Sequence, residues 1–508
     1  MGVSNLQIKD PVATGGTPVP PAATGGTPVP PAATGGTLVP SAARRFLAAP
    51  WAIVVVLAVA TALRGWGLAN WSLWEDEETS IYFSQQPGKP FPRFFPVFFL
   101  ALHGLYRATD VSIVAGRVLA TVFGIGGIAL VYALARRMSR EIAVVAALFL
   151  AVNLGHLFWC QSIRYFTLLL VFELLSMYCF LEGFERGKYT LLLLSNVAFA
   201  LALLTHFSAL LLMPVYVAYL FFMILGRQSG GAYHRRGYLF FGALHALVLG
   251  LMALQFLRFH AVLKSMDDKA LQDPIHLLIT VAAYFGVPVI VLGLLAPLVA
   301  VNVPKRIALF FTTAGALPVL EVVVIARLNL SNVTWYYVFV ALPAFSIAAA
   351  IALVSLYQRG YRWSARLAGA VILLYSVPLL AGYYTSMHGD RPRWKDAAAY
   401  LRQIENIDVA ASEKTQVYAT VPGVVAYYLG VPPGETMGSP LVQPVPKQPP
   451  AVEREVDRWY VVESGQVTPE VESWLTKSCT LKATFGAWTG PRDRSIRVYY
   501  SERGASAP

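Results

Sequence analysis

From Phe46 to Tyr384 the chain alternates long apolar runs with short polar breaks. The runs fall near residues 46–63, 113–134, 141–156, 165–182, 189–204, 207–226, 237–259, 275–300, 305–326, 335–356 and 365–384. Each approaches the length a helix needs to cross a hydrocarbon core, so the pattern predicts about 11 transmembrane helices. One more apolar stretch, PFPRFFPVFFLALHGLYR from Pro90 to Arg107, is short and broken by Pro92 and Pro96. Counted as a span, it would send Arg136, Arg137 and Arg140 outside; laid in the outer interface, it leaves them inside.

With the interfacial placement every later loop obeys the positive-inside rule. Arg186 and Lys188, then Arg227, Arg235 and Arg236, then Lys305 and Arg306, and last Arg359, Arg362 and Arg366 all fall inside. Arg44 and Arg45, ahead of the first run, place the N-terminus inside. The expected class is an all-α polytopic membrane protein. Its transmembrane domain covers 46–386, its first outer loop 64–111, and its C-terminus lies outside.

The flanks read differently. Residues 1–45 carry a repeated Pro-Val-Pro-Pro-Ala-Ala-Thr-Gly-Gly-Thr unit, which buries nothing and predicts a disordered cytoplasmic tail. Beyond Met387 the apolar runs shorten. WKDAAAYLRQI, VPGVVAYYL and TPEVESWL read as helices, and QVYAT, RWYVVE, TLKATFGA and SIRVYY as strands. Residues 387–508 are therefore expected to form a small extracytoplasmic α/β domain, with a proline-rich loop from Gly434 to Pro450.

Composition agrees with this. The 508 residues are 56% hydrophobic and 13% charged, with a mean hydropathy of +0.56. The net charge of +12 is accounted for by the inside loops, so no nucleic-acid partner is implied. Cys160, Cys179 and Cys479 show no metal-type spacing, and with Cys479 alone in the outer region no internal disulfide can staple it.

The chemistry gathers around NWSLWEDEETSIYFSQQP, Asn70–Pro87, where Glu75, Asp76, Glu77 and Glu78 stand in succession at the membrane edge. The same outer side collects Asn153–His156, Gln161–Tyr165, Thr205-His206, the loop from Arg258 to Asp273, and Arg327–Tyr337. Carboxylates can take a proton from an attacking hydroxyl, arginines can hold a phosphate, and aromatic rings can face a sugar. Singly, each has an ordinary explanation. Arg164 could anchor at the interface, His206 could cap a helix break, His103 could pack, and Glu173 could bond to a neighbouring helix. Four adjacent carboxylates could also hold Mg²⁺ or Mn²⁺, although the spacing is no ligand signature and leaves the cofactor unknown.

On these residues the chain resembles the polyprenyl-phosphate-sugar-dependent GT-C glycosyltransferases, the superfamily of protein O-mannosyltransferases and the lipid A aminoarabinose transferase. The resemblance rests on Asp76-Glu77 in LWEDEETS, Pro96-Val97-Phe98-Phe99 followed by Leu102-His103, and Arg117 in VAGRVLATVFG. It continues through ALARRMSRE, Gln161–Phe166, Thr205-His206, and later VALPAF and PRWKDAAAYL. Three positions depart from the pattern. Glu78 replaces a small residue, Gln161-Ser162 lacks an acid, and Tyr336 stands where many members carry arginine, which leaves Arg258 and Arg327 as replacements.

The resemblance implies an inverting transfer from a polyprenyl-phosphate sugar to a hydroxyl acceptor (lipid, protein or cell-wall glycan) at the outer face of a cytoplasmic membrane, and the alanine-rich composition suits a bacterial origin. Asp76 would activate the acceptor, Glu77 would support it, and Arg164 would hold the lipid phosphate with Arg117 or Lys89. Glu78, Tyr165, His206 and Tyr336 would support the site. A transporter or flippase of lipid-linked sugars and a non-catalytic scaffold are the competing readings. The flippase would need charged residues deep in several spans and repeated halves; Glu173 and Glu321 are the main in-span acids and no repeat is evident.

Overall fold

The computed structural model describes residues 47, 49–225, 232–264, 273–328, 333–403, 415–449, 456–489 and 492–502. The N-terminal repeat tail and most of the loop between Arg258 and Asp273 lie outside the described residues. The bundle begins with α1 (Ala52–Gly65), α2 (Glu75–Gln85), α3 (Pro90–Phe94), α4 (Pro96–Ala108), α5 (Ile113–Arg136), α6 (Arg140–Ala151) and α7 (Leu154–Cys160). It continues with α8 (Phe166–Arg186), α9 (Tyr189–Leu203), a 3₁₀ turn (Phe207–Leu212), α10 (Met213–Leu225), α11 (Ala232–Lys264), α12 (Pro274–Phe285) and α13 (Val287–Val299). Helices α14 (Lys305–Arg327), α15 (Ala341–Gln358) and α16 (Arg362–Tyr384) complete it, with a second 3₁₀ turn at Trp335–Val338.

Seven helices are long and apolar enough to cross a membrane, and two bent pairs raise the number to nine among the described residues. Helices α1 and α9 are shorter apolar helices of 14 and 15 residues, and with them the eleven predicted positions are all helical. Helix α4, at 13 residues, spans about 20 Å and is too short to cross. Large apolar side chains on α11 and α16, such as Leu251, Leu257, Trp363 and Leu374, are exposed, as lipid-facing surfaces are. By contrast α15 is alanine-rich and almost wholly buried, and its small side chains let α6, α13 and α14 pack closely around it.

The two bent spans matter for the site. α6 and α7 meet at 66° around Asn153, whose side chain caps α7 by accepting from the His156 amide at 3.0 Å. Arg64, fully buried, donates to the carbonyls of Leu150 and Ala151 at the end of α6, groups a broken helix would otherwise leave unpaired. α12 and α13 meet at 90° at Gly286, which holds φ +89°. The first bend sends the chain into a non-helical turn, Gln161–Tyr165, directly beneath α2.

After α16 the chain forms α17 (Trp394–Gln403), β1 (Thr415–Ala419), α18 (Pro422–Tyr428), β2 (Val442–Pro444), β3 (Asp457–Glu463), α19 (Pro469–Ser478) and β4 (Thr480–Phe485). A small hairpin, β5 (Trp488–Thr489) and β6 (Arg492–Asp493), precedes β7 (Ile496–Ser501). The sheet order is β2-β1-β3-β7-β4; β1 runs parallel to β2 and β3, while β7 is antiparallel to β3 and β4. Every predicted helix and strand of this part is present. The proline-rich loop adds β2, which the sequence reading did not include.

Close packing at the bend yields a test. A Cβ on Gly124 of α5 would lie 2.1 Å from the Cys160 sulfur on α7, whereas one on Gly104 meets nothing within 4 Å. Gly124→Ala is expected to cost about 1–3 kcal/mol and lower the thermal unfolding midpoint in detergent. Gly104→Ala should leave the midpoint unchanged or raise it.

Candidate active site

The four acids occupy the first turn of α2, where the helix dipole favours negative charge. Successive residues turn about 100° around a helix, so their carboxylates diverge. Glu77 points inward and is fully buried. Its Oε1 accepts from Arg117 Nε at 2.9 Å and from the Ile163 amide at 3.0 Å; its Oε2 accepts from Arg117 Nη2 at 2.7 Å. Arg117 also donates to the carbonyls of Leu68 and Trp71 through Nη1, and to that of Ser72 through Nη2. All five guanidinium N–H groups are thereby used. Burial alone would push the Glu77 carboxyl up, but Arg117 and Arg391 outweigh it and hold the group below the usual range.

Asp76 faces the other way. Its side chain keeps 17% of its exposure and lines a cavity of about 560 Å³ with Trp74, Trp159, Trp335 and Tyr336. Arg164 Nη2 lies 3.8 Å from Asp76 Oδ2, while Nη1 donates to the Asp76 carbonyl and to Ser80 Oγ. The guanidinium packs over the Tyr165 ring at 4.5 Å, and its Nε, buried, has no hydrogen-bond partner among the described residues. Asp76 and Arg164 are thus a carboxylate and a cation side by side, with donor capacity left over.

Two further residues were missed by sequence reasoning. Arg391 donates to the Gln161 carbonyl and Ser162 Oγ through Nη2, and its Nε lies 3.6 Å from Glu77 Oε2, so it ties the turn carrying Arg164 to α2. Asp390, buried, accepts from the Tyr284 hydroxyl and lines the cavity. Asp390 holds φ +59° beside Gly389 at +67°, where a Cβ would meet the Trp71 ring at 2.6 Å. Such a conformation in a residue other than glycine is costly and often marks a functional segment. The charged run Asp390–Arg393 directly after the last span was the available signal. The sheet domain closes the cavity with Glu463, Ser464, Gly465, Gln466, Asp493 and Arg494.

The family described as dolichyl-phosphate-mannose-protein mannosyltransferase matches residues 89–252. No curated protein sequence matches the chain. The structure is similar to ArnT from Cupriavidus metallidurans bound to undecaprenyl phosphate, with 15% identity, a TM-score of 0.50, and coverage of 91% of this chain and 100% of that one. ArnT from the same organism in the apo state gives 14% identity, a TM-score of 0.50, and coverage of 88% and 97%. By fold, the chain is similar to these two ArnT structures. An apo oligosaccharyltransferase from Archaeoglobus fulgidus is also similar, with 13% identity, a TM-score of 0.48, and coverage of 78% and 65%.

Within this bundle the other expected residues disperse. Tyr336 lines the cavity, but Arg117 is saturated and fully enclosed, so it has no N–H left to offer a phosphate. His206 stacks on Tyr165 at 4.6 Å, and its Nδ1 caps the 3₁₀ turn through the Ser208 amide. Lys89, Arg258 and Arg327 are exposed, and none lines the cavity. Among the described residues no three His, Cys, Asp or Glu side chains converge to hold a metal ion. The fan of the α2 carboxylates is the reason, so no step through a cation is derived.

Glu78 turns toward the sheet domain, accepts from the Thr436 hydroxyl, and packs where Gly423 leaves no room for a Cβ. Burial lifts its carboxyl from 4.5 to about 7 against that hydrogen bond. The folded protein therefore binds a proton that the unfolded chain has lost between those two values. This contribution to stability is complete below pH 4.5 and disappears as the pH rises through about 7. Glu78→Gln should gain in unfolding temperature relative to wild type on going from pH 5 to pH 8; a constant difference between the two proteins would contradict it.

Proposed function

We propose that the protein is an inverting glycosyltransferase that moves a sugar from a polyprenyl-phosphate donor to a hydroxyl acceptor at the outer face of a membrane. The observation that carries this reading is the placement of Asp76 on the cavity wall with Arg164 at 3.8 Å. Asp76 takes the proton of the acceptor hydroxyl as its oxygen bonds to the anomeric carbon. The carbon–oxygen bond to phosphate breaks in the same displacement, and the electron pair leaves with the phosphate. Arg164, packed beside Asp76 just behind the cavity wall, supplies positive charge toward that anion.

We read Glu77 and Arg117 as positioning residues: they hold the Leu68–Ser72 loop and the Gln161–Tyr165 turn so that Asp76 and Arg164 meet, and Arg117 has no N–H left for a phosphate. Lys89, exposed at the head of α3, remains as a second cation for an incoming lipid phosphate. The similarity to an ArnT structure holding undecaprenyl phosphate supports a lipid-phosphate donor, and the apolar bundle surface supplies its lipid setting. The acceptor is assigned only as a hydroxyl.

The test uses the full chain in detergent with radiolabelled polyprenyl-phosphate sugars and a membrane extract as the source of acceptors. Wild type should transfer label and Asp76→Asn should lose the general-base contribution, a drop of about 10²–10⁴-fold. Equal transfer by both would remove Asp76 as the base. Movement of the lipid-linked sugar across vesicles, with no transfer, would instead favour a flippase.

A further inference from the structure

The floor and the roof of the cavity come from different parts of the chain. The bundle supplies Asp76 and the aromatic rings, whereas the roof belongs to the sheet domain. That roof is firmly built. The Ser464 amide donates to the Ser495 carbonyl, the Arg494 amide to the Ala487 carbonyl, and the Glu463 amide to Thr420 Oγ1.

Glu463 is the unusual member. It ends β3, is 1% exposed, and pairs through Oε1 with Arg494 Nε. Its other oxygen, Oε2, is buried with no hydrogen-bond partner among the described residues. A buried carboxylate oxygen without a donor is costly, and the Arg494 pair leaves Oε2 as an acceptor still open to a donor. In the same cavity lining, Trp335 stacks flat on Tyr284 at 4.1 Å and 6°, with the Tyr284 hydroxyl anchored on Asp390. A fixed aromatic pair and an unsatisfied acceptor lining one cavity suit a polyhydroxylated ring, whose C–H face covers an aromatic ring and whose hydroxyls donate to the carboxylate. On the roof, away from the bundle that would hold the phosphate, the carboxylates Glu463 and Asp493 outnumber Arg494, so an acidic sugar would be repelled there.

We propose that the C-terminal sheet domain reads the donor's sugar: Glu463, held in place by Arg494, accepts hydrogen bonds from hydroxyls of a sugar that carries no acid group. This rests on the glycosyltransferase reading of the cavity. The domain is then a specificity element, and the lipid and phosphate are held by the bundle alone.

The experiment measures binding to the full-length protein in nanodiscs. The probes are sugar-free polyprenyl phosphate and its mannose, arabinose and glucuronate derivatives. Wild type should bind a neutral derivative more tightly than the sugar-free lipid, and should gain nothing from glucuronate. Glu463→Gln should keep wild-type affinity for the sugar-free lipid and lose the sugar's advantage, a drop of about tenfold or more. Gln466→Trp, at an exposed roof position, fills the same space without touching the ion pair and should give the same result even where Glu463→Gln folds poorly.

An unchanged sugar advantage in both variants, or no sugar advantage in wild type, would overturn the inference while leaving the donor reading intact. Failure of wild type to bind any polyprenyl phosphate would overturn the reading beneath it.

Discussion

Glu77 and Arg117 form a buried, fully hydrogen-bonded ion pair, and the rest of the site is hung on it. Removing two charges from water is expensive, and the pair persists because every donor of the guanidinium finds an acceptor. Three of those acceptors are carbonyls of the Leu68–Ser72 loop, which runs from α1 to α2. The carboxylate meanwhile accepts from Ile163 in the turn below α7. One interaction therefore fixes the loop that carries Asp76 and the turn that carries Arg164. Arg391, reaching in from beyond the last span, locks the same turn and ties it to Glu77.

This division of labour separates neighbours in the sequence. Asp76 and Glu77 are adjacent and chemically alike, yet one faces a cavity and the other faces protein. A single residue step on a helix accounts for it. Partial exposure leaves Asp76 able to exchange a proton with a bound molecule, while full enclosure gives Glu77 no such access. The same geometry sends Glu78 to the sheet domain, where burial keeps its proton on.

Much of the fold was legible because apolar length is a strong constraint. The eleven runs are helical, and Pro92 and Pro96 marked the segment too short to cross. The bends at Asn153 and Gly286 were not read, since an apolar run registers no break when the residues on both sides stay apolar. Strand β2 and the Trp488–Asp493 hairpin were too short to show a period. The acid run was legible as a cluster at the bundle's edge, but the aim of each carboxylate was not. Arg391 left only the faint signal of a charged run after the last span, and Glu463 and Arg494 left none, because only folding brings them beside residues several hundred positions earlier. Arg117 was picked out only through the family resemblance, and its saturation by backbone carbonyls was invisible.

The central claim is that Glu77 holds the site together and Asp76 does its chemistry. Thermal unfolding of Glu77→Gln and Asp76→Asn, side by side in detergent, tests it most directly. Removing the Glu77 charge leaves Arg117 buried and unpaired, so the account predicts a loss on the order of 3–5 kcal/mol and a clearly lower midpoint. Asp76→Asn should stay within about 1 kcal/mol of wild type. Equal midpoints for the two variants, or a larger loss in Asp76→Asn, would contradict the account.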